Sequence, residues 1–413
     1  MNTKKCLQHI FWVALLAVIF SVGIYFFSQQ SFVYHAAVCD YSHTSAPDKI
    51  ECWYGLLDTS LATGGAADML HDYAYLYSHY PNILVPENCH ADAHWMGDQM
   101  YSKLLHSGGS LETVDFPETA NVCTFGVPHG FFMHLFADHP NVPFVTATCS
   151  SFETRFSNIF PTINVQCYHA AGHGFVLAHA HDTSKDARQL AVDTLGQCDT
   201  LPNTLTDIER QTCYRGVFTA LLEWAAQKQH GLSFDKLHPF ALCTTLAKSW
   251  KRMCYAGVAD RFFREASLTV PSLIEHIAQV EDPSLRVQAF RPAMRVLILR
   301  AMPHNSYLSL IPACATVSKE LFVSCITIFP SALFTGGFPE QEYPKALALC
   351  ASNQIHALDA EKVCYLSIAK QLALFYPPEK LQAFTDPHVQ QAIAQLIEAG
   401  KLTTTELDLP NIR

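Results

Sequence analysis

Hydrophobic positions fall into two patterns along the chain. From about Ile10 to Phe27 the residues are apolar and uncharged, with Trp12, Leu15, Leu16, Val18, Ile19, Ile24 and Phe26 among them. At about 1.5 Å per residue, this run just spans a hydrocarbon core of about 30 Å. Beyond it, apolar residues recur at spacings of three and four, the period of helices that bury one face. Thr206-Asp-Ile-Glu209 reads as a capping box, followed by apolar Val217, Leu221 and Trp224 and stopped by Gly231. The stretch from Asp359 to Tyr376 repeats the pattern with Val363, Ile368, Leu372 and Phe375 ahead of Pro377-Pro378. No segment alternates with period two between hairpin turns, so the pattern predicts an all-α fold.

Cysteine placement adds the compartment and the architecture. Of fifteen cysteines, Cys6 precedes the apolar run and fourteen follow it. Taken in order these pair as Cys39 with Cys52, Cys89 with Cys123, Cys149 with Cys167, Cys198 with Cys213, Cys243 with Cys254, Cys314 with Cys325, and Cys350 with Cys364. Such a framework persists only in an oxidising compartment. Lys4 and Lys5, with no basic cluster after the run, put the N-terminus on the cytoplasmic side. The expectation is an uncleaved signal anchor with the bulk of the chain exported, periplasmic or extracellular. The second cysteine of a pair often opens a C-x-x-G string, as at Cys52, Cys123, Cys213 and Cys254, with a near copy at Cys167. The spacings from Cys123 to Cys254 are 44, 46 and 41 residues. That period belongs to stacked helical pairs, and the glycine lets neighbouring backbones approach. The expected fold is a disulfide-stapled α-helical repeat, an αα-hairpin solenoid or toroid-like array, behind one N-terminal membrane helix. The expected divisions are a cytoplasmic tail over 1–9, a transmembrane anchor over 10–28, His/Cys-rich acidic repeats over 29–184, further Cys-paired repeats over 185–400, and a tail over 401–413.

Composition narrows the function. With 413 residues, 49% of them hydrophobic and 15% charged, the chain can bury a large core and is not disordered. A net charge of -10 without a basic face excludes a nucleic-acid partner. Residues 50–184 hold thirteen acidic side chains against Lys103 and Arg155, while 185–413 balance to zero. Ten of the 21 histidines lie between Cys89 and His181. His90 and His94, like His169 and His173, stand four apart on one helix face, a spacing used by helical metal sites. His129 and His134 follow Cys123 in the intervening copy. Neutral imidazoles in a negative field suit a divalent cation and not phosphate or a polyanion. The expected ligands are therefore His90, His94, His129, His134, His169 and His173, with zinc favoured over copper. Asp92 and Asp98 are the expected catalytic carboxylates, orienting imidazoles or acting as general base on a metal-bound water. His71, His79, His230, His238, His276, His304, His356 and His388 lack such company and read as surface or capping residues. No G-x-S-x-G, Walker or G-x-G-x-x-G string occurs. The sequence thus predicts a metal-dependent hydrolase or oxidase, the alternatives being a non-catalytic metal-handling protein or an envelope scaffold with a protein partner on the repeat surface.

Overall fold

The computed structural model describes residues 31–179, 187–202, 204–228, 238–265 and 269–400. Every regular element among them is helical. No helix among the described residues is long and apolar enough to cross a membrane. The apolar run expected to do so, 10–28, lies outside the described residues, as do Gly231 and the tail over 401–413.

Two compact units divide the chain at Leu84/Val85. In the first, α1 (31–42), α2 (Ala46–Gly64) and α3 (Ala66–His79) pack around Trp53, Leu57, Leu70, Tyr73 and Leu76. Ser45 caps α2 by accepting from the Asp48 N–H at 3.2 Å. Trp53 is fully buried, and its indole N–H donates to the Ala36 carbonyl at 3.1 Å. The Cys39–Cys52 bridge joins α1 to α2.

The second unit is a succession of helical pairs. The first members are α4 (Cys89–His106), α6 (Val142–Phe156), α8 (Ala187–Asp199), α10 (Ala241–Thr244) and α12 (Val270–Ala278). Each packs on the helix that follows it: α5 (Val122–Asp138), α7 (Ile163–Leu177), α9 (Asp207–Ala226), α11 (Lys248–Glu265) and α13 (Pro283–Ala301). A 3-10 stretch, Ser306–Ala315, precedes α14 (Lys319–Thr335) in the same way. The described residues end with α15 (Pro339–Cys350), α16 (Asn353–His356), α17 (Glu361–Phe375) and α18 (Pro387–Glu398). All pairs from α4 to α17 except α12/α13 carry a bridge: Cys89–Cys123, Cys149–Cys167, Cys198–Cys213, Cys243–Cys254, Cys314–Cys325 and Cys350–Cys364.

Local signals set the helix starts. Thr206 and Glu209 form the capping box of α9, Asn141 caps α6 from ahead of Pro143, and Asp386 caps α18 from ahead of Pro387. The periodic residues Val217, Leu221 and Trp224 in α9, and Val363, Ile368, Leu372 and Phe375 in α17, are buried.

The second members of the pairs pack on one another in order, α5 on α7, then α9, α11, α13, α14 and α17. Late helices also return to early ones. The Cys123 N–H donates to the Gly337 carbonyl at 3.0 Å, Phe125 stacks on Phe375 with centroids 5.2 Å apart, and Arg264 donates to the Glu87 carbonyl at 3.0 Å. The division expected at 184/185 falls within this unit, where α7 packs on α9 across it.

Candidate metal centre

Close backbone contacts bring the histidines together. A Cβ at Gly97 would meet the Val127 carbonyl oxygen at 2.1 Å, and one at Gly130 the His94 oxygen at 2.1 Å, so α4 and α5 cross in van der Waals contact at two glycines. Gly172 and Gly216 do the same for α7 and α9, where a Gly216 Cβ would meet the His169 oxygen at 2.0 Å. Gly55, in the first C-x-x-G string, faces open space, so its spacing there reflects no helix contact.

At these crossings five imidazoles converge. His90, His94 and His129 offer one ligand nitrogen each within 4.8 Å of one another, and so do His129, His169 and His173. His129, on α5, belongs to both groups. Its ring centroid lies 4.1 Å from that of His94, 4.4 Å from His169 and 4.7 Å from His173. His134 belongs to neither group; its Nε2 lies 3.4 Å from Asp98 Oδ1, and both side chains are about a third exposed. The reason is angular: at about 100° per residue, side chains four apart share a helix face, whereas His129 and His134, five apart, diverge by about 140°. Asp92 is buried on α4, and no carboxylate belongs to either histidine group.

Hydrogen bonds orient the rings. His90 Nδ1 lies 2.7 Å from the Cys123 carbonyl oxygen and His169 Nδ1 lies 3.1 Å from that of Thr212. A carbonyl only accepts, so each Nδ1 carries the proton and each Nε2 keeps its lone pair, the arrangement in which a backbone group orients a ligating imidazole. The Cys123 carbonyl is aimed by an unusual turn, since Cys123, Thr124 and Phe125 all have left-handed φ, at 52°, 62° and 59°. Left-handed backbone costs a non-glycine residue about 1–2 kcal/mol. Here it is held by the Cys89–Cys123 bridge, the Thr124 hydroxyl on the Thr335 carbonyl and the Phe125 stack. His94 Nε2 and His129 Nδ1 lie 2.8 Å apart, while His129 Nε2 and His173 Nε2 are buried with no hydrogen-bond partner.

Such nitrogens resist protonation. Burial holds His90 down to about 4 and His173 down to about 3, and it holds His94, His129 and His169 well below the ordinary imidazole value. The charges of neighbouring imidazoles and of Arg215 add to the effect, so at neutral pH the cluster is a set of uncharged nitrogen donors.

The fourteen expected cysteines occupy seven bridged pairs, all neighbours in sequence. One group of residues escaped the sequence reading. His169 lies two residues after Cys167, and His129 and His173 lie six after Cys123 and Cys167. Counted the same way, Arg215 is two after Cys213 and Asp260 six after Cys254. This shared register was the available signal for Arg215, whose charge acts on His90, His169 and His173. Comparison with family models, with curated proteins and with solved structures found no match for the chain.

Proposed function

We propose that this is a membrane-anchored, exported helical-repeat protein whose converging histidines hold one or two divalent metal ions, zinc ahead of copper, in a centre of hydrolytic character. The observation that carries the reading is the pair of His129 and His173 Nε2 atoms, buried and without a hydrogen-bond partner, among rings whose other nitrogens are already oriented. An unpaired buried acceptor costs about 1–3 kcal/mol, which a metal ion would offset. Imidazole-only donor sets suit zinc or copper, and the bridged cysteines offer no thiolate. A three-histidine site leaves zinc an exchangeable position, where the metal would act as a Lewis acid. Asp92 and Asp98 remain the carboxylates assigned to proton handling.

The anchor rests on the apolar run over 10–28, and export on the seven bridges. A toroid-like array is supported by the return of α14 and α17 to α5. The test is metal content. Chain produced in an oxidising compartment, stripped and titrated with zinc, is expected to retain one or two equivalents by elemental analysis. His129→Ala removes the residue common to both groups and is expected to lose all of it, while His276→Ala loses none. Stoichiometric zinc in His129→Ala would overturn the assignment.

A further inference from the structure

The five clustered imidazoles divide unevenly between interior and surface. His129, His169 and His173 are buried, at 0%, 7% and 5% exposure, whereas His90 and His94 keep part of their surface open to solvent. The two groups of three therefore differ in access. The inner one, His129, His169 and His173, is closed, and the outer one, His90, His94 and His129, has an open side.

The lone pairs divide in the same way. His90 and His169 commit Nδ1 to backbone carbonyls, so each brings only Nε2. His94 turns its Nε2 to His129 Nδ1 at 2.8 Å. His129 Nε2, on the opposite edge of that ring, is buried with no hydrogen-bond partner, and so is His173 Nε2. Each imidazole nitrogen has a single in-plane lone pair, which serves one metal ion at a time. Zinc is almost always four-coordinate in such sites, so the five rings cannot all close on one ion. His94 and His173, one from each group, also stand 6.0 Å apart at their ring centroids. His129 alone belongs to both groups, and it has a nitrogen for each.

We infer that His129 bridges two metal ions, giving Nδ1 to an outer ion held with His90 and His94 and Nε2 to an inner ion held with His169 and His173, and that the outer ion is the exchangeable one. The inference rests on the metal reading of this site and adds to it the number of ions, the bridging residue and which ion is labile. A closed shell of ligands is the setting of structural zinc, and an open side is the setting of an ion that takes and releases other ligands. In the metal-free chain one proton joins His94 Nε2 to His129 Nδ1. Loading both ions sends that proton to solvent and leaves His129 as an imidazolate, whose negative charge between the cations offsets part of their repulsion.

The test follows the metal alone. Full chain with its bridges intact is saturated with zinc and challenged with excess chelator, and bound zinc is followed by elemental analysis. Two equivalents are expected, leaving in two separate phases of one equivalent each. His94→Gln is expected to lose the fast equivalent and keep the slow one, and His173→Gln the reverse. Glutamine keeps most of the buried volume, and unchanged circular dichroism would show that both variants fold. Copper(II) supplies the second readout, because unpaired electrons on two ions joined by one imidazolate couple with each other. Its paramagnetic resonance signal is expected to rise over the first equivalent and fall over the second, whereas in His94→Gln it should only rise. Two equivalents with uncoupled signals, or leaving at one rate, would overturn the inference. A single equivalent lost from every histidine variant would overturn it and leave the metal reading standing; a chain that retains no metal would sink both.

Discussion

Acid should strip stability from the metal-free protein in a defined window. His90 and His173 sit at about 4 and about 3 in the folded chain, below the ordinary value of 6.5. Unfolded, they would take up protons from pH 6.5 downward, while the folded protein refuses them. The folded state therefore keeps its full stability above that value and loses it as pH falls towards 4 and then 3. At about 1.4 kcal/mol per pH unit, the loss at pH 4 is about 3 kcal/mol from each of the two histidines. Because a charge on His90 also lowers His173, taking up the first proton makes the second harder. A total near 6 kcal/mol, before any contribution from His94, His129 and His169, is comparable to the whole stability of many domains, about 5–15 kcal/mol. Urea melts of the metal-free chain, followed by far-ultraviolet circular dichroism from pH 7.5 to 4, would measure it. His173→Gln should recover about 3 kcal/mol at pH 4, and saturating zinc should move the loss to lower pH. Constant stability from pH 7 to 4.5 would show that the five rings are not neutral and enclosed together.

Three other outcomes follow from the same geometry. Gly130→Ala forces a Cβ against the His94 carbonyl, where its contact would be 2.1 Å; it should cost about 1–3 kcal/mol in melts and weaken zinc binding, whereas Gly55→Ala should do neither. Arg291→Met removes a half-buried guanidinium opposed by Arg295, so the metal-free protein should gain stability in the same assay, and a loss would show that the hydrogen bond to Thr327 outweighs the repulsion. Peptide mapping without reductant should recover the seven neighbouring pairs and no free thiol after Ser28, and free Cys149 or Cys167 would contradict the bridged α6/α7 pair.

Helices and bridges were legible because both depend on short sequence distances. The Thr206 capping box and the paired cysteines act over a few to a few tens of residues, and the structure places them as the spacing suggests. The four-residue histidine spacings were legible for the same reason. His134 shows the limit of counting histidines: one residue more than four turns it towards Asp98. Charge summed along the chain says little about position. The acidic stretch over 50–184 suggested a negative field, yet the charges of Arg215, Arg264 and Arg295, from the part that balances to zero, act on His90. Cancellation in sequence says nothing about separation in space, since Glu320 faces outward while Arg264 and Arg295 are held on Asp260. The return of α14 and α17 to α5 spans over two hundred residues and leaves no local trace.

The spans of the bridges have a temporal consequence. Each closes over 11 to 34 residues, so each pair of segments can be locked as soon as its own stretch has reached an oxidising environment, in order from Cys39 to Cys364. The five histidines are all delivered by His173, but Arg264 and Arg295, whose charges act on His90, come much later. During synthesis the imidazoles are thus assembled before those two arginines exist. A metal ion of the proposed centre would thus meet the imidazoles before those charges arrive.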